Sequence, residues 1–266
     1  MQKTGKNRNI IDKFYTNPEV VKKYVKKFKN YVNKNDLIIE PSAGCGVWLI
    51  PLKEYSVNAF DIQPEGENIQ QIDFLDVDLY AFESKLHFIG NPPFGRQSSL
   101  AKKFIKHITN CDKTETIAFI LPKSFKKDSL KKVFPLNYHL DYEDDIIKDA
   151  FIANNKPYDV PCVFQIWVKK EYNRKVPIKL EPKNFKFVKK DDNPDYALRR
   201  VGVNAGKLSL KVEDKSEQSH YFIKLDNINI DFMNKYSKII CKHNNTVGPK
   251  SINKQEFIKE INKIKK

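Results

Sequence analysis

The sequence predicts an α/β layer with a largely parallel central sheet, followed by a smaller α+β region. Three observations predict it. Short apolar runs recur along the first 170 residues, each of a length that suits a buried strand. Turn signals or amphipathic helical patterns separate them, the alternation from which parallel sheets are built. After Lys170 the pattern breaks, and "KKEYNRKVPIKLEPKNFKFVKKDDNPD" is polar and proline-dotted with no long period.

The elements follow in chain order. In "NPEVVKKYVKKFKNYV" (17–32), Val20, Val21, Tyr24, Val25, Phe28 and Val32 form one helical stripe with lysines on the other faces. Asn17 and Pro18 fit a cap and a first-turn proline. "LIIE" (37–40) reads as a buried strand running into "PSAGCG", after which "VWLIPL" opens a helix. Strands are expected at 57–62, 68–74, 86–90, 116–122, 138–143 and 162–169, with a helix near 98–109 and a basic stretch from Lys123 to Phe134. Beyond the break, "KLSLKVED" (207–214) and "HYFIKLDN" (220–227) read as two strands joined by "KSEQS", and helices are expected at 229–240 and 254–265. The expected domains are residues 1–172 and 173–266.

Composition narrows the function. Hydrophobic residues make up 40% of the chain, too many for a disordered protein. Cys45, Cys111, Cys162 and Cys241 form no close pair, and the five histidines lack ligand spacing, so neither a structural metal nor a disulfide framework is expected. No run reaches the roughly 18 apolar residues of a membrane span, and no signal-peptide core follows the N-terminus. The expectation is a soluble intracellular protein, cytoplasmic or, for a viral gene, within the infected host cell. Forty-eight basic against 33 acidic residues leave a net charge of +15, which favours a polyanionic partner. Only five of the basic residues are arginine, so a lysine-rich proteome is the competing explanation.

Open parallel sheets bind ligands beyond the carboxyl ends of their strands, and the distinctive residues fall there. "EPSAGCG" (40–46) ends the first buried strand with small residues, which let backbone approach a ligand closely. Asp61 ends the next strand, 15 residues after Gly46, where a carboxylate can accept from both hydroxyls of a ribose. Asp73 and Phe74 follow the third strand, able to bond an adenine amine and cover a ring face; a cap is the alternative for Asp73. Neither a G-x-G-x-x-G nor a P-loop pattern is present, which disfavours a pyrophosphate cradle. "NPPF" (91–94) ends the fourth strand. The Asn91 side chain and the Pro92 carbonyl offer two acceptors for an exocyclic NH2, and the stiff diproline sets Phe94 against a planar ring.

Together "FYT" (14–16), "EPSAGCG", "FDI" (60–62), "IDF" (72–74), "NPPF", "FILPKSF" (119–125) and "VFQIW" (163–167) resemble the N6-adenine DNA methyltransferases that use S-adenosylmethionine, over about residues 10–170. The resemblance implies a Rossmann-like class I methyltransferase fold with a seven-stranded sheet. It implies that Phe14, Tyr15, Thr16, Glu40, Ser42, Gly44 and Gly46 surround the methionine part of the cofactor. Asp61 would hold the ribose, and Asp73 and Phe74 the adenine. Asn91 and Pro92 would hold the target amine, with Phe94 and Phe164 flanking a base flipped from the duplex; a core position is the alternative for Phe164. DNA is expected ahead of RNA as the partner, with a separate cognate restriction endonuclease open and a monomer as the default. The alternatives are RNA adenine N6 or guanine N2, protein glutamine, or an inactive nucleic-acid-binding module of the same fold.

In the C-terminal region, "LRRVGVNAGKLSL" (198–210) carries Arg199, Arg200, Asn204 and Lys207 among glycines, a set that can contact phosphates or base edges. A basic turn leading into a strand is the competing reading.

Overall fold

The apolar runs become strands because each residue pair alternates between two helix-covered faces. The computed structural model describes residues 15–147, 150–153, 156–176, 178–226 and 250–262. It divides into two units, Met1–Val176 and Pro177–Lys266. Phe14, Cys241 and the helix expected at 229–240 lie outside the described residues.

In the first unit, β1 (Tyr15–Thr16) precedes helix α1 (Pro18–Phe28), which Asn17 caps by accepting from the Glu19 amide at 2.9 Å. The central strands are β2 (Leu37–Glu40), β3 (Ser56–Asp61), β4 (Gln70–Gln71), β5 (Leu86–Gly90), β6 (Thr114–Pro122) and β7 (Tyr138–Asp145). Helices α2 (Ser99–Asn110) and α3 (Asp128–Lys131) lie between β5 and β7 in the chain. Strands β8 (Phe151–Ala153), β9 (Lys156–Tyr158) and β10 (Cys162–Lys169) follow.

The seven-stranded sheet runs in the order β4-β3-β2-β5-β6-β10-β7. Only β10 is antiparallel, pairing with both β6 and β7. The sheet is therefore mixed and mostly parallel. The order reverses at β2, which pairs with β3 on one side and β5 on the other, so chain leaving β2 and chain leaving β5 diverge around one crevice. A separate small sheet, β1-β8-β9, adjoins that crevice through Tyr15, Thr16 and Phe151.

Two cores sandwich the sheet. Ile39, Phe88, Ile117, Phe119 and Trp167 pack with α2 through Ala101, Phe104, Ile105 and Ile108. Their neighbours Ile38, Ile89, Ala118, Ile120 and Ile166 pack with α1 through the buried stripe from Val20 to Phe28. Burying each such side chain is worth about 1.5–3 kcal/mol against exposure. Strands covered on both faces need continuous apolar runs, which is why they are readable in the sequence.

Several expectations differ from the structure. "VWLIPL" forms no α-helix; turns lead into a 3-10 turn at Ile50–Leu52, because Trp48 and Leu52 are drawn into the core beneath the loop. The strand expected at 68–74 is two residues long, and the basic stretch after Lys123 holds only short helical turns.

The second unit contains β11 (Phe185–Val188), β12 (Tyr196–Arg199), β13 (Leu208–Ser209), β14 (His220–Leu225) and helix α4 (Lys254–Ile261). Its sheet order is β11-β14-β12-β13, all antiparallel. The two expected strands are therefore not a hairpin: β12 lies between them, since Leu198 supplies a buried partner to Tyr221 that "KLSL" cannot. Asn253 and Glu256 close a reciprocal capping box on α4.

Arg174 closes the first unit. Its guanidinium donates to the carbonyls of Pro135, Tyr138, Lys131 and Phe134 and lies 5.3 Å over the Trp167 ring. Removing it takes a donor from four carbonyls, of which those of Pro135 and Lys131 keep backbone donors from Tyr138 and Phe134. Arg174→Ala should destabilise the protein by roughly 2–4 kcal/mol in denaturant unfolding, and Arg174→Lys should recover little, because an ammonium cannot span the same acceptors.

Candidate active site

The carboxyl ends of β2, β3 and β5 open onto one cavity of about 390 Å3. That volume lies within the range of small-molecule sites, about 300–1,000 Å3. Tyr15, Thr16, Ser42, Gly44, Asp61, Asp73, Phe74, Asn91, Pro92 and Phe94 all line it.

The loop after β2 is held from both sides. Gly44, at φ +52°, donates its amide to Asp61 Oδ2 at 2.8 Å, and its carbonyl accepts from the Glu65 amide at 2.9 Å. Ser42 donates its hydroxyl to the Asn91 carbonyl at 3.3 Å. The loop is thereby tied to the strands on either side of it. Thr16 is buried at the cavity wall, and its Oγ1 has no hydrogen-bond partner. Such an orphaned hydroxyl is a group suited to a polar ligand. Tyr15 donates to Glu65 Oε2 at 2.5 Å; burial and the Glu65 carboxylate push its phenol up to about 12.

Glu40 stands directly behind this wall. Its side chain is fully buried; Oε1 accepts from the Ser42 amide at 3.1 Å, and Oε2 has no partner. Burial raises its carboxyl well above the usual range, and the Asp61 charge adds to that. The space it occupies exists because residue 90 has no side chain. A Cβ on Gly90 would come within 2.2 Å of Glu40 Oε1, and Gly90 also holds φ +154°.

Asp61 retains acceptor capacity. Oδ2 takes the Gly44 amide and Oδ1 the Gln63 amide, both at 2.8 Å, and each carboxylate oxygen has a second lone pair. Asp73 caps the turn Phe74–Asp76 by accepting from the Leu75 amide through Oδ1 at 3.0 Å, which leaves Oδ2 uncommitted. Phe74 reaches the cavity from within the core, packed against Phe60, Phe88, Phe104 and His107. Ile62 and Leu75 also line this end, and Ile62 is 52% exposed. Sequence reasoning missed Ile62; an apolar residue directly after the strand-ending acid was the available signal.

Asn91 and Phe94 are half-buried and Pro92 is buried. The Phe94 carbonyl accepts the Leu100 amide at 3.1 Å, docking the corner onto the start of α2. Between them Gly95, Gln97 and Ser98 have φ of +67°, +53° and +60°. Two non-glycine residues in the left-handed region cost of order 1–3 kcal/mol each, a strain found mainly where function fixes the backbone.

Other expected residues lie elsewhere. Phe164 does not reach the cavity: it is fully buried in mid-β10, stacked on Tyr24 at 4.1 Å and on Trp48 at 6.5 Å. Its place in a both-faces-covered strand overrides its place in the motif. Phe151 and Val160 line the cavity opposite the corner instead. Glu40 and Gly46 support the loop from behind rather than lining it; Gly46 closes a turn onto Ala43 at 2.7 Å. Arg199, Asn204 and Lys207 border a separate concavity within the second unit, while Arg200 lies 5.4 Å over the Tyr221 ring. Among the described residues no cluster could hold a metal ion, and no helix is long and apolar enough to cross a membrane.

No protein-family model matches the chain, and no curated protein matches it. Some solved structures are similar to part of the chain. A 23S rRNA methyltransferase, ErmE, is 13% identical with a TM-score of 0.46, covering 60% of this chain and 71% of its own. A modification subunit of a putative type I restriction enzyme from Vibrio vulnificus is 14% identical with a TM-score of 0.45, covering 61% and 46%. A putative RNA methyltransferase from Pyrococcus horikoshii is 13% identical with a TM-score of 0.46, covering 63% and 93%.

Two variants check the seam between Glu40 and Gly90. Gly90→Ala should lower stability by more than about 3 kcal/mol, and adding Glu40→Ala should recover part of that loss, read by denaturant unfolding of both proteins. A raised folded-state pKa makes Glu40 cost stability as pH climbs out of the ordinary carboxylate range, because the unfolded chain releases its proton first. Glu40→Gln should therefore gain in Tm relative to the parent between pH 4 and pH 8, measured by thermal unfolding across about that range.

Proposed function

We propose that this chain transfers a methyl group from S-adenosylmethionine to an exocyclic amine of a nucleic-acid base, with adenine N6 as the amine. The observation that carries the reading is the convergence of the Asn91-Pro92-Phe94 corner and the Gly44–Asp61 contact on one cavity. One end supplies acceptors for ribose hydroxyls, and the other supplies acceptors and a ring face for an aromatic amine.

The cofactor fits the donor set: a carboxylate with spare lone pairs at Asp61, an orphaned hydroxyl at Thr16, and apolar cover from Ile62 and Leu75. When bound, S-adenosylmethionine supplies an electrophilic methyl on a positively charged sulfur. The chain's own work is to hold and orient. Asp61 would accept from the ribose, and Asp73 Oδ2 from the adenine amine. The Asn91 side-chain oxygen and the Pro92 carbonyl would accept hydrogen bonds from the two N–H groups of the target amine, turning its lone pair out of the ring; once the nitrogen carries the methyl, its surplus proton would pass to water. Phe94 stacks on the target ring, offsetting the few kcal/mol needed to take a base out of a helix. Geometry supplies most of the acceleration, since no strong base is needed.

The corner grips an amine and a ring face, which adenine in DNA and in RNA present alike. The test is transfer of labelled methyl to separate pools of duplex DNA, RNA and release-factor protein, with mass identification of the product. N6-methyladenine in either nucleic acid is the expected outcome. Methylated glutamine, or no transfer to any pool with cofactor bound, would overturn it. Asn91→Ala should lower kcat by roughly 10²–10³-fold while leaving cofactor affinity, measured by calorimetry, unchanged. Asp61→Asn should do the reverse, weakening cofactor binding by about 10–100-fold.

A further inference from the structure

We infer that the concavity of about 510 Å3 in the second unit, bordered by Arg199, Lys207 and Lys215, grips a backbone phosphate of the nucleic acid. The inference rests on the proposed function for the identity of the polymer. Its physical basis is separate from the cavity of the first unit.

Three cations share this hollow with one carboxylate, Asp214. Among the described residues Arg199, Lys207 and Lys215 make no ion pair. Some lysines of the first unit do find carboxylates: Lys123 and Lys126 share Asp145, and Lys23 meets Asp144. Three positive charges against the single carboxylate of Asp214 leave the hollow net positive, and a bound anion lowers the remaining repulsion.

Arg199 is pre-oriented for the task. Its Nε donates to the Val201 carbonyl at 2.8 Å and its Nη1 to Ser219 Oγ at 3.1 Å, which fixes the guanidinium plane and leaves Nη2 without a protein partner. A fork held in place loses little freedom on meeting an anion. A purely structural tie between the turn and β14 accounts for the two bonds made by Arg199. It does not account for Lys207 and Lys215 beside it.

His220 reports the local field. It is 8% exposed, and its Nδ1 lies 3.1 Å from the Ser216 carbonyl and 3.0 Å from Ser219 Oγ. Burial lowers its pKa first, and the Arg199 and Lys215 charges lower it further. Arg199 belongs to the same strand pair, Lys215 to the loop before β14, and Asp214 is the acid at the rim. Burial is the main cause of that shift, and the two neighbouring cations add to it. Single open phosphates suit such a place better than base edges, since a lysine ammonium is a point charge with no directional code.

The test uses the full chain and fluorescein-labelled duplex DNA and RNA hairpins, with binding read by anisotropy across a salt series. Lys207→Gln with Lys215→Gln should weaken binding roughly tenfold, independent of sequence, and reduce the slope of log affinity against log salt by about 2. Asp214→Asn should tighten binding. A control pair at the exposed Lys34 and Lys53, of equal charge change, should move the slope less. Inorganic phosphate alone should compete only at high concentration. An unchanged slope in the Lys207/Lys215 variant, or equal losses in the control pair, would overturn the inference. Cofactor affinity, measured in parallel, separates the two readings: salt-dependent binding through this hollow with no methyl transfer to any nucleic acid would sink the proposed function and leave this site standing.

Discussion

The Glu40 carboxyl lies in the space that a side chain on residue 90 would fill, and the rest of the candidate site is built outward from that contact. Glu40 ends β2 and Gly90 ends β5, so their fit sets the distance between the small-residue loop and the Asn91–Phe94 corner. Ser42 bridges the same seam twice, through its amide to Glu40 and its hydroxyl to the Asn91 carbonyl. A buried carboxyl with one unpartnered oxygen is costly to keep. The fold retains it at the point where two ligand-facing segments have to be held in register.

The surrounding architecture makes that register rigid. Parallel strands bring their carboxyl ends to one side of the sheet, and the reversal of order at β2 opens the crevice there. Helices α1 and α2 cover opposite faces, so neither β2 nor β5 can shift without disturbing a core. Strain appears where the chain leaves this frame: Gln97 and Ser98 adopt left-handed conformations immediately after the corner, and the α2 amides of Leu100 and Ala101 hold the Phe94 carbonyl in place. Stiffness at the corner thus comes from three sources: the diproline, the strained turn and the helix start.

Charge is distributed by the same logic of pairing. In the first unit acidic residues of β7 meet lysines from α1 and from the turns after β6, as Asp144 and Asp145 do. In the second unit Arg199, Lys207 and Lys215 share one hollow with a single carboxylate, Asp214.

The long buried strands, the two amphipathic helices and the cap at Asn17 were legible because each follows a local rule: an apolar run, a 3.6-residue stripe, a side chain that satisfies a free amide. The polar residues at strand ends were legible as strand ends, while their order around the crevice, β4-β3-β2-β5, comes from the sheet and not from the chain. Short elements such as β4 and the β1-β8-β9 sheet have too few residues to carry a period, and β12 announced itself only by the partners it found. Phe164 marks the boundary most clearly. The sequence by itself determined that an aromatic follows Val163 on a strand; only packing decided that Tyr24 and Trp48 would enclose it in the core, because burial depends on which distant surfaces meet. Glu40 and Gly90 mark it from the other side, as two unremarkable strand ends whose fit exists only once β2 and β5 lie side by side.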